Sequence, residues 1–370
     1  MTDRLQSVVV NGQLSDPVPV ASGVPQGSVL GPLIFLILIA DIDSDTNGSV
    51  IRSFADDTRV TNGVSSLRDM SVIQSDLDTI YDWSESNNML FNDAKFELLR
   101  YGMNDSVRDN TYYYTNTGTI ITEKEEVKDL GVIINNDVSF TSHIDAVIES
   151  AKQLTSWVLR TFKTRDHGPM LILWKSLILP KIEYCSQLWC PLNKADIQRL
   201  ERLQKTFLSK INGNQHLNYW EQLRKYKLYS LERRRERYRV IYIWKVLEKL
   251  VPNIGKGVSI VRCIRADRHG RRCIIPPVIT TSPAFVQNAR ESSLTVHGGK
   301  LFNALPKYLR DATECSVDNF KGMLDKYFND ILDEPQVPGY TGCRKADSNS
   351  LIDMIPLSTS KRLGMVLSRR

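Results

Sequence analysis

Cysteine is scarce and unpatterned in this chain. Cys185, Cys190, Cys263, Cys273, Cys315 and Cys343 are scattered without a C-x-x-C pair. That argues against a disulfide framework or a zinc ribbon and for a reducing compartment. His143, His167, His216, His269 and His297 show no metal-binding spacing, and Cys263, His269 and Cys273 lack a fourth zinc ligand. Long apolar runs are also absent. The longest, Val29 to Ala40, is broken by Gly31-Pro32 and falls short of a bilayer span. The start, MTDRLQSVVV, has neither the basic opening nor the apolar stretch of a signal peptide. These absences predict an intracellular protein, nuclear or cytoplasmic, not secreted and without a membrane partner.

What is present is ordinary globular composition, 42% apolar and 24% charged over 370 residues. That length predicts two or three domains. The charge is unevenly placed. Residues 1–103 carry a net −8, residues 104–150 a net −6, residues 151–250 a net +13 and residues 251–370 a net +7. An acidic first part can hold cations, and a basic second part can meet a polyanion. Two solvated surfaces would have the same composition.

A glycine- and proline-rich loop, Ser22 to Ser28, precedes an apolar helical segment from Val29 to Ile42. Two β-prone runs, Val50 to Phe54 and Thr58 to Thr61, enclose Ala55-Asp56-Asp57, which predicts a hairpin with two acids at its tip. Helical spacing runs through 65–89, strands are expected at Phe96–Tyr101 and Leu130–Ile134, and residues 105–126 predict a β excursion. From Ser142 to about Leu250 the pattern is helical, divided at Pro180 and Pro191. Residues 251–292 look irregular, a helix is expected over Asn319–Leu332, and the tail after Asp333 has few apolar anchors.

Paired carboxylates at a hairpin tip suit Mg²⁺, which takes oxygen ligands and is often held by one or two carboxylates plus substrate phosphates. Two such ions serve in-line phosphoryl transfer. Alone, Asp56-Asp57 equally describes an exposed turn.

The flanking residues narrow this. Ser22-Gly23-Val24-Pro25-Gln26-Gly27-Ser28-Val29-Leu30-Gly31-Pro32, followed by Phe54-Ala55-Asp56-Asp57, resembles the palm of a reverse transcriptase, an RNA-directed DNA polymerase. The branch it resembles is the jockey-like non-LTR retrotransposons. Leu90 to Lys95 resembles the next palm motif, and Leu130-Gly131-Val132-Ile133-Ile134 the hairpin that grips the primer end. Phe140 to His143 resembles the start of the thumb. Trp174 to Pro191 and Phe302 to Pro306 resemble downstream segments of these elements.

The resemblance implies an α+β fold. Residues 1–103 would be the C-terminal part of the palm, residues 104–140 a β connection and residues 141–250 a basic helical thumb. Residues 251–333 would form an irregular and helical region, and 334–370 a flexible tail. It implies catalytic Asp56, Asp57 and Lys95, with Asp56 and Asp57 binding Mg²⁺, for which Mn²⁺ can substitute. Gly23, Pro25, Gln26 and Gly27 would face the nucleotide. Arg160, Arg199, Arg202, Lys205, Arg233, Arg234 and Arg235 would contact nucleic acid, with Lys163, Arg165, Arg237 and Arg239 as further candidates. Partners would be an RNA template with a DNA primer or an RNA–DNA hybrid, deoxynucleoside triphosphates and the upstream part of the same polyprotein. Phe54 is expected to pack beneath the site, and Trp83, Trp157, Trp174 and Trp189 in the core.

The family's third carboxylate lies upstream of the glycine-rich loop. Only Asp3 and Asp16 precede that loop here, and neither has the expected context. The sequence therefore predicts a truncated polymerase, inactive alone, with a non-catalytic nucleic-acid-binding remnant as the alternative and a decayed product as a third reading.

Overall fold

The computed structural model describes residues 4–20, 23–24, 27–102, 109–251, 264–266, 272–274, 284–335 and 348–354. They form two compact units, residues 1–124 and 125–370. The content is mixed α and β, as the sequence implies.

In the first unit, β1 (Arg4–Gln6) pairs with β4 (Val18–Val20), and β2 (Val9–Val10) with β3 (Gln13–Leu14). These ribbons bury almost nothing: Leu5, Val8, Val9, Val10, Leu14 and Val18 are all exposed. Helix α1 (Gly31–Ile39) starts with Pro32 in its first turn, where a missing N–H costs no bond. It is apolar throughout, yet only Gly31 and Ile39 are buried. The hairpin of β5 (Val50–Phe54) and β6 (Asp57–Thr61) follows. Helix α2 (Leu67–Ser86) is opened by a capping box between Ser66 and Asp69. Ile39, Ile42, Ile51 and Ile80 form one small core, and Leu77, Tyr113 and Ile121 another. Strand β7 (Glu97–Leu99) pairs with β8 (Thr122–Lys124) in parallel, so the pairing in this unit is not wholly antiparallel.

The second unit opens with the hairpin of β9 (Glu126–Asp129) and β10 (Val132–Asn135). Its turn residues Leu130 and Gly131 have φ of 45° and 83°, the mirror-image turn that suits the twist of two strands. Seven helices follow: α3 (Thr141–Thr161), α4 (His167–Leu173), α5 (Leu179–Glu183), α6 (Ser186–Trp189), α7 (Lys194–Leu208), α8 (Tyr219–Tyr226) and α9 (Leu231–Leu247). Trp174, Trp189, Leu200 and Phe207 fill one core. Helix α10 (Ala284–Ser292) comes next, and the second core gathers α9, α11 (Gly299–Ala304), α12 (Lys307–Arg310) and α13 (Val317–Asn329). Residues expected in a flexible tail contribute to it, with Leu351 wholly buried and Met354 nearly so. Cys263 and His269 lie outside the described residues, as does most of 251–283. Among the described residues no helix is long and apolar enough to cross a membrane.

Candidate metal site and nucleic-acid surface

The loop before β5 is locked by one carboxylate. Asp76 accepts the amides of Asn47 at 2.8 Å and Ser49 at 2.7 Å. Burial opposes its ionisation, but these bonds outweigh it and hold the carboxyl below its ordinary range. Between them, a Cβ on Gly48 would stand 2.2 Å from Val72 Cγ1, so only glycine fits. The hairpin thus leaves a rigid base.

Register places Phe54 opposite Asp57, with Ala55 and Asp56 as the turn between them. Ala55 has φ of 52°, a left-handed conformation that costs an L-residue about 1–2 kcal/mol. It is the conformation that a two-residue hairpin turn requires. Asp56 and Asp57 are exposed, and neither has a described partner. Strand alternation turns Ile51 and Val60 toward the small core and puts Arg52, Phe54, Asp57 and Arg59 on the other face.

Two consequences were missed from sequence. Phe54 is 67% exposed beside Asp57 instead of packing beneath it, because it lies out of phase with Ile51. Arg52 and Arg59 face each other one pair further along that surface, which counting by twos from Asp57 would have found.

Gly23 and Gly27 have φ of 81° and 80°, and nothing lies within 4 Å of where a Cβ would be. Their requirement is backbone conformation and not crowding. The Gly23 carbonyl accepts from Arg4 at 2.6 Å, and Ser28 Oγ accepts from the Gly31 amide at 3.1 Å at the entry of α1. Pro25 and Gln26 lie outside the described residues. Lys95 ends a short 3₁₀ turn, Asp93–Lys95, and is exposed, while Asp93 is held by Tyr81 Oη at 3.0 Å and Thr117 Oγ1 at 2.9 Å. Among the described residues no group of three or more His, Cys, Asp or Glu could hold a metal ion.

In the second unit the structure separates the expected phosphate contacts into two sets. Arg160, Arg202 and Lys205 are exposed and have no described partner. Lys163 is likewise exposed without a described partner, and the others are paired within the unit or turned into its interior. Arg199 pairs with Asp145 at 2.5 Å and Asp196 at 3.0 Å. Arg165 donates to the carbonyls of Leu159 at 2.6 Å, Phe162 at 2.5 Å and Thr164 at 2.8 Å, closing the end of α3. Arg234 grips Glu183 with two nitrogens, and Arg237 holds Asp325 at 2.5 and 2.7 Å.

Arg233, Arg235 and Arg239 are at most 1% exposed. They share the interior of α9 with acids from distant segments. Arg233 lies 4.0 Å from both Glu236 and Asp333, and it donates to the Asn349 carbonyl at 2.9 Å. Glu236 in turn accepts from Ser350 Oγ at 2.5 Å and from the Leu351 amide at 2.8 Å. Burial, then the charges of Glu236 and Glu201, pushes the Glu232 carboxyl up to about 8. The arginines of Leu231 to Arg239 are therefore buried or held by Glu183 and Asp325, and do not form a phosphate-tracking face.

Residues 2–134 match the family model of reverse transcriptase (RNA-dependent DNA polymerase). The chain is 28% identical over 228 residues to the RNA-directed DNA polymerase from mobile element jockey of Drosophila melanogaster, covering 58% of this chain and 24% of that protein. The jockey protein of Drosophila funebris is 27% identical over 221 residues, covering 57% and 24%. A probable RNA-directed DNA polymerase from transposon X-element of Drosophila melanogaster is 25% identical over 218 residues, again covering 57% and 24%. The matches thus span about a quarter of the length of these relatives. No solved structure matches.

Proposed function

We propose, from a chain whose residues 2–134 match the reverse transcriptase family model and which is similar to the RNA-directed DNA polymerases of mobile elements, that it serves template-directed nucleotidyl transfer. On this reading it contributes the acidic hairpin of the palm and a helical unit that holds nucleic acid. The observation that carries it is the pair Asp56 and Asp57, exposed and without a described side-chain partner, Asp56 in the two-residue turn and Asp57 opening the next strand, within the matched segment.

These residues fit a divalent ion. Two carboxylates with no hydrogen bond among the described residues can each give oxygen to Mg²⁺ or Mn²⁺, with phosphates and water completing the shell. Bound there, the ion would neutralise the charge that develops on the reacting phosphoryl oxygens. The chain's own residues hold the rest. The Gly27 backbone admits a close approach to the nucleotide, Lys95 stands exposed to meet a leaving pyrophosphate, and Arg52 and Arg59 add positive charge beside Asp57. The template–primer duplex and the deoxynucleoside triphosphate are the partners, and the remainder of a longer polyprotein supplies the other walls of the site. The alternative reading is nucleic-acid binding without catalysis.

Metal binding by the pair is expected to be weak, roughly millimolar, since Mg²⁺ gives up water reluctantly to two ligands, with Mn²⁺ somewhat tighter. Amide signals around Asp56 and Asp57 should broaden as Mn²⁺ is added. Micromolar affinity that survives Asp56→Ala would show that the ion sits elsewhere.

Nucleic-acid binding is expected to fall steeply with salt. Replacing Arg160, Arg202 and Lys205 together with Ala should reduce the slope of log K against log salt by roughly two to three, about 0.7–0.9 per phosphate contact. A slope left unchanged by the triple substitution would place the contacts on other side chains.

A further inference from the structure

The second unit contains five tryptophans, and four of them have a structural task. Trp174, Trp189 and Trp244 are at most 1% exposed, and Trp220 packs against the first of the two cores. Trp157 is the exception. It is 48% exposed on the outer side of α3 and belongs to neither core. Expected from helical spacing to be buried, it lies just beyond the stripe of Ile144, Ile148, Ala151, Thr155 and Val158, which α3 turns inward.

The ring is nonetheless braced. Phe162, itself packed on the core, meets it edge to face, with ring centroids 6.2 Å apart and planes at 84°. Its neighbours are cations and small polar groups. Along the same side of the helix lie Ser150, Gln153, Arg160 and Thr161, all exposed, and Lys163 follows just past the helix end. Cations at a helix C-terminus ordinarily serve its carbonyls. Here Arg165 already does so, through Leu159, Phe162 and Thr164. Arg160 and Lys163 are left without a described partner.

We infer that Trp157 is a stacking platform for one unpaired base of a single-stranded nucleic acid, with Arg160 and Lys163 holding the adjoining phosphates. An indole offers its π-face to any base, and cations beside it suit the adjoining backbone. A duplex keeps its bases stacked on one another and has none to offer except at its ends. The site therefore distinguishes a single-stranded template or an overhang from paired substrate. The inference rests on the proposed nucleic-acid role of this unit and adds a strand-state preference to it.

The test uses the full chain and short single-stranded RNA and DNA oligonucleotides, with a blunt RNA–DNA hybrid for comparison, each titrated by fluorescence anisotropy at one salt concentration. Trp157→Ala should weaken single-strand binding by about five- to 150-fold, the range for loss of one base–aromatic stack. Hybrid affinity should change by less than about twofold, since phosphate contacts dominate there. Trp157→Phe should recover most of the loss, and the salt slope should stay that of the wild type. Arg160→Ala should instead lower the slope by about 0.7–0.9. Single-strand affinity unchanged in Trp157→Ala would overturn the inference while leaving the wider reading intact, and so would an equal loss on single strand and hybrid. If the wild-type chain binds neither probe, both fall together.

Discussion

Glu236→Ala is expected to destabilise the helical unit by about 3–5 kcal/mol, the cost of leaving one partner of a buried ion pair uncompensated. Glu236 is 2% exposed, and Arg233 beside it is fully buried. Burial raises the Glu236 carboxyl above its usual range, while the Arg233 charge and the bonds from Ser350 and Leu351 oppose that rise. Removing the carboxylate strips Arg233 of one of its two acids and frees residues 350–351 from α9 at the same time. A domain of ordinary stability, about 5–15 kcal/mol, would lose a large part of its margin. Glu232→Gln is the control. A carboxyl pushed up to about 8 is mostly protonated at neutral pH, so an amide of the same shape should cost less than about 1 kcal/mol. Urea unfolding of the variants gives both values. A Glu236→Ala change below about 1 kcal/mol would mean that the arginines on α9 find their compensation elsewhere.

That cluster also shows where reading the chain ran out. Leu231-Glu232-Arg233-Arg234-Arg235-Glu236-Arg237 has the composition of a solvated basic face, and no local pattern marks it otherwise. The groups that permit its burial are the carboxylates of Glu201 on α7 and Asp333 after α13, the Asn349 carbonyl and the Ser350 hydroxyl. Those partners lie far off in sequence, and burial that depends on them leaves no periodic trace. The short segment 348–354 escaped for the same reason. Its anchors Leu351 and Met354 are too few to announce a packed helical turn.

Local chemistry was far more legible. The β5–β6 hairpin, α2, the helices from Thr141 to Leu247 and the turn at Leu130-Gly131 each follow from apolar period, caps or turn residues. The acidic tip was read from two adjacent residues between β-prone runs. The second strand starts one residue earlier than expected, at Asp57 opposite Phe54, and Phe54 is at the surface because it lies an odd number of residues from buried Ile51. A period of two puts such residues on opposite faces. The exposure of α1 could not be foreseen, because an apolar helix in a sequence predicts burial wherever a cover exists.

The largest functional effect is expected at Asp56, in a longer chain that carries the remaining walls of the polymerase site. There Asp56→Ala should reduce primer extension by on the order of 10²–10³-fold or more. In-line phosphoryl transfer depends on positioning and charge stabilisation, and loss of one charge-stabilising group costs at least that much. Asp57→Ala should cost less, since Asp57 is a strand residue with Phe54 opposite it, and Asp56 occupies the turn itself. Equal activity in Asp56→Ala and wild type would remove the hairpin from the chemistry. The same longer chain should be the more soluble of the two. The 370-residue chain leaves Leu33, Leu36, Ile37 and Leu38 of α1 and the ribbons β1–β4 uncovered, an apolar surface that favours association.

Primer extension on an RNA template with Mg²⁺ or Mn²⁺, run side by side with this chain and the longer one, tests the account most directly. The account predicts no extension by the 370-residue chain and extension by the longer chain that Asp56→Ala abolishes. Extension by the short chain that disappears in Asp56→Ala would contradict it, because a two-carboxylate hairpin would then suffice or another residue of this chain would complete the metal site.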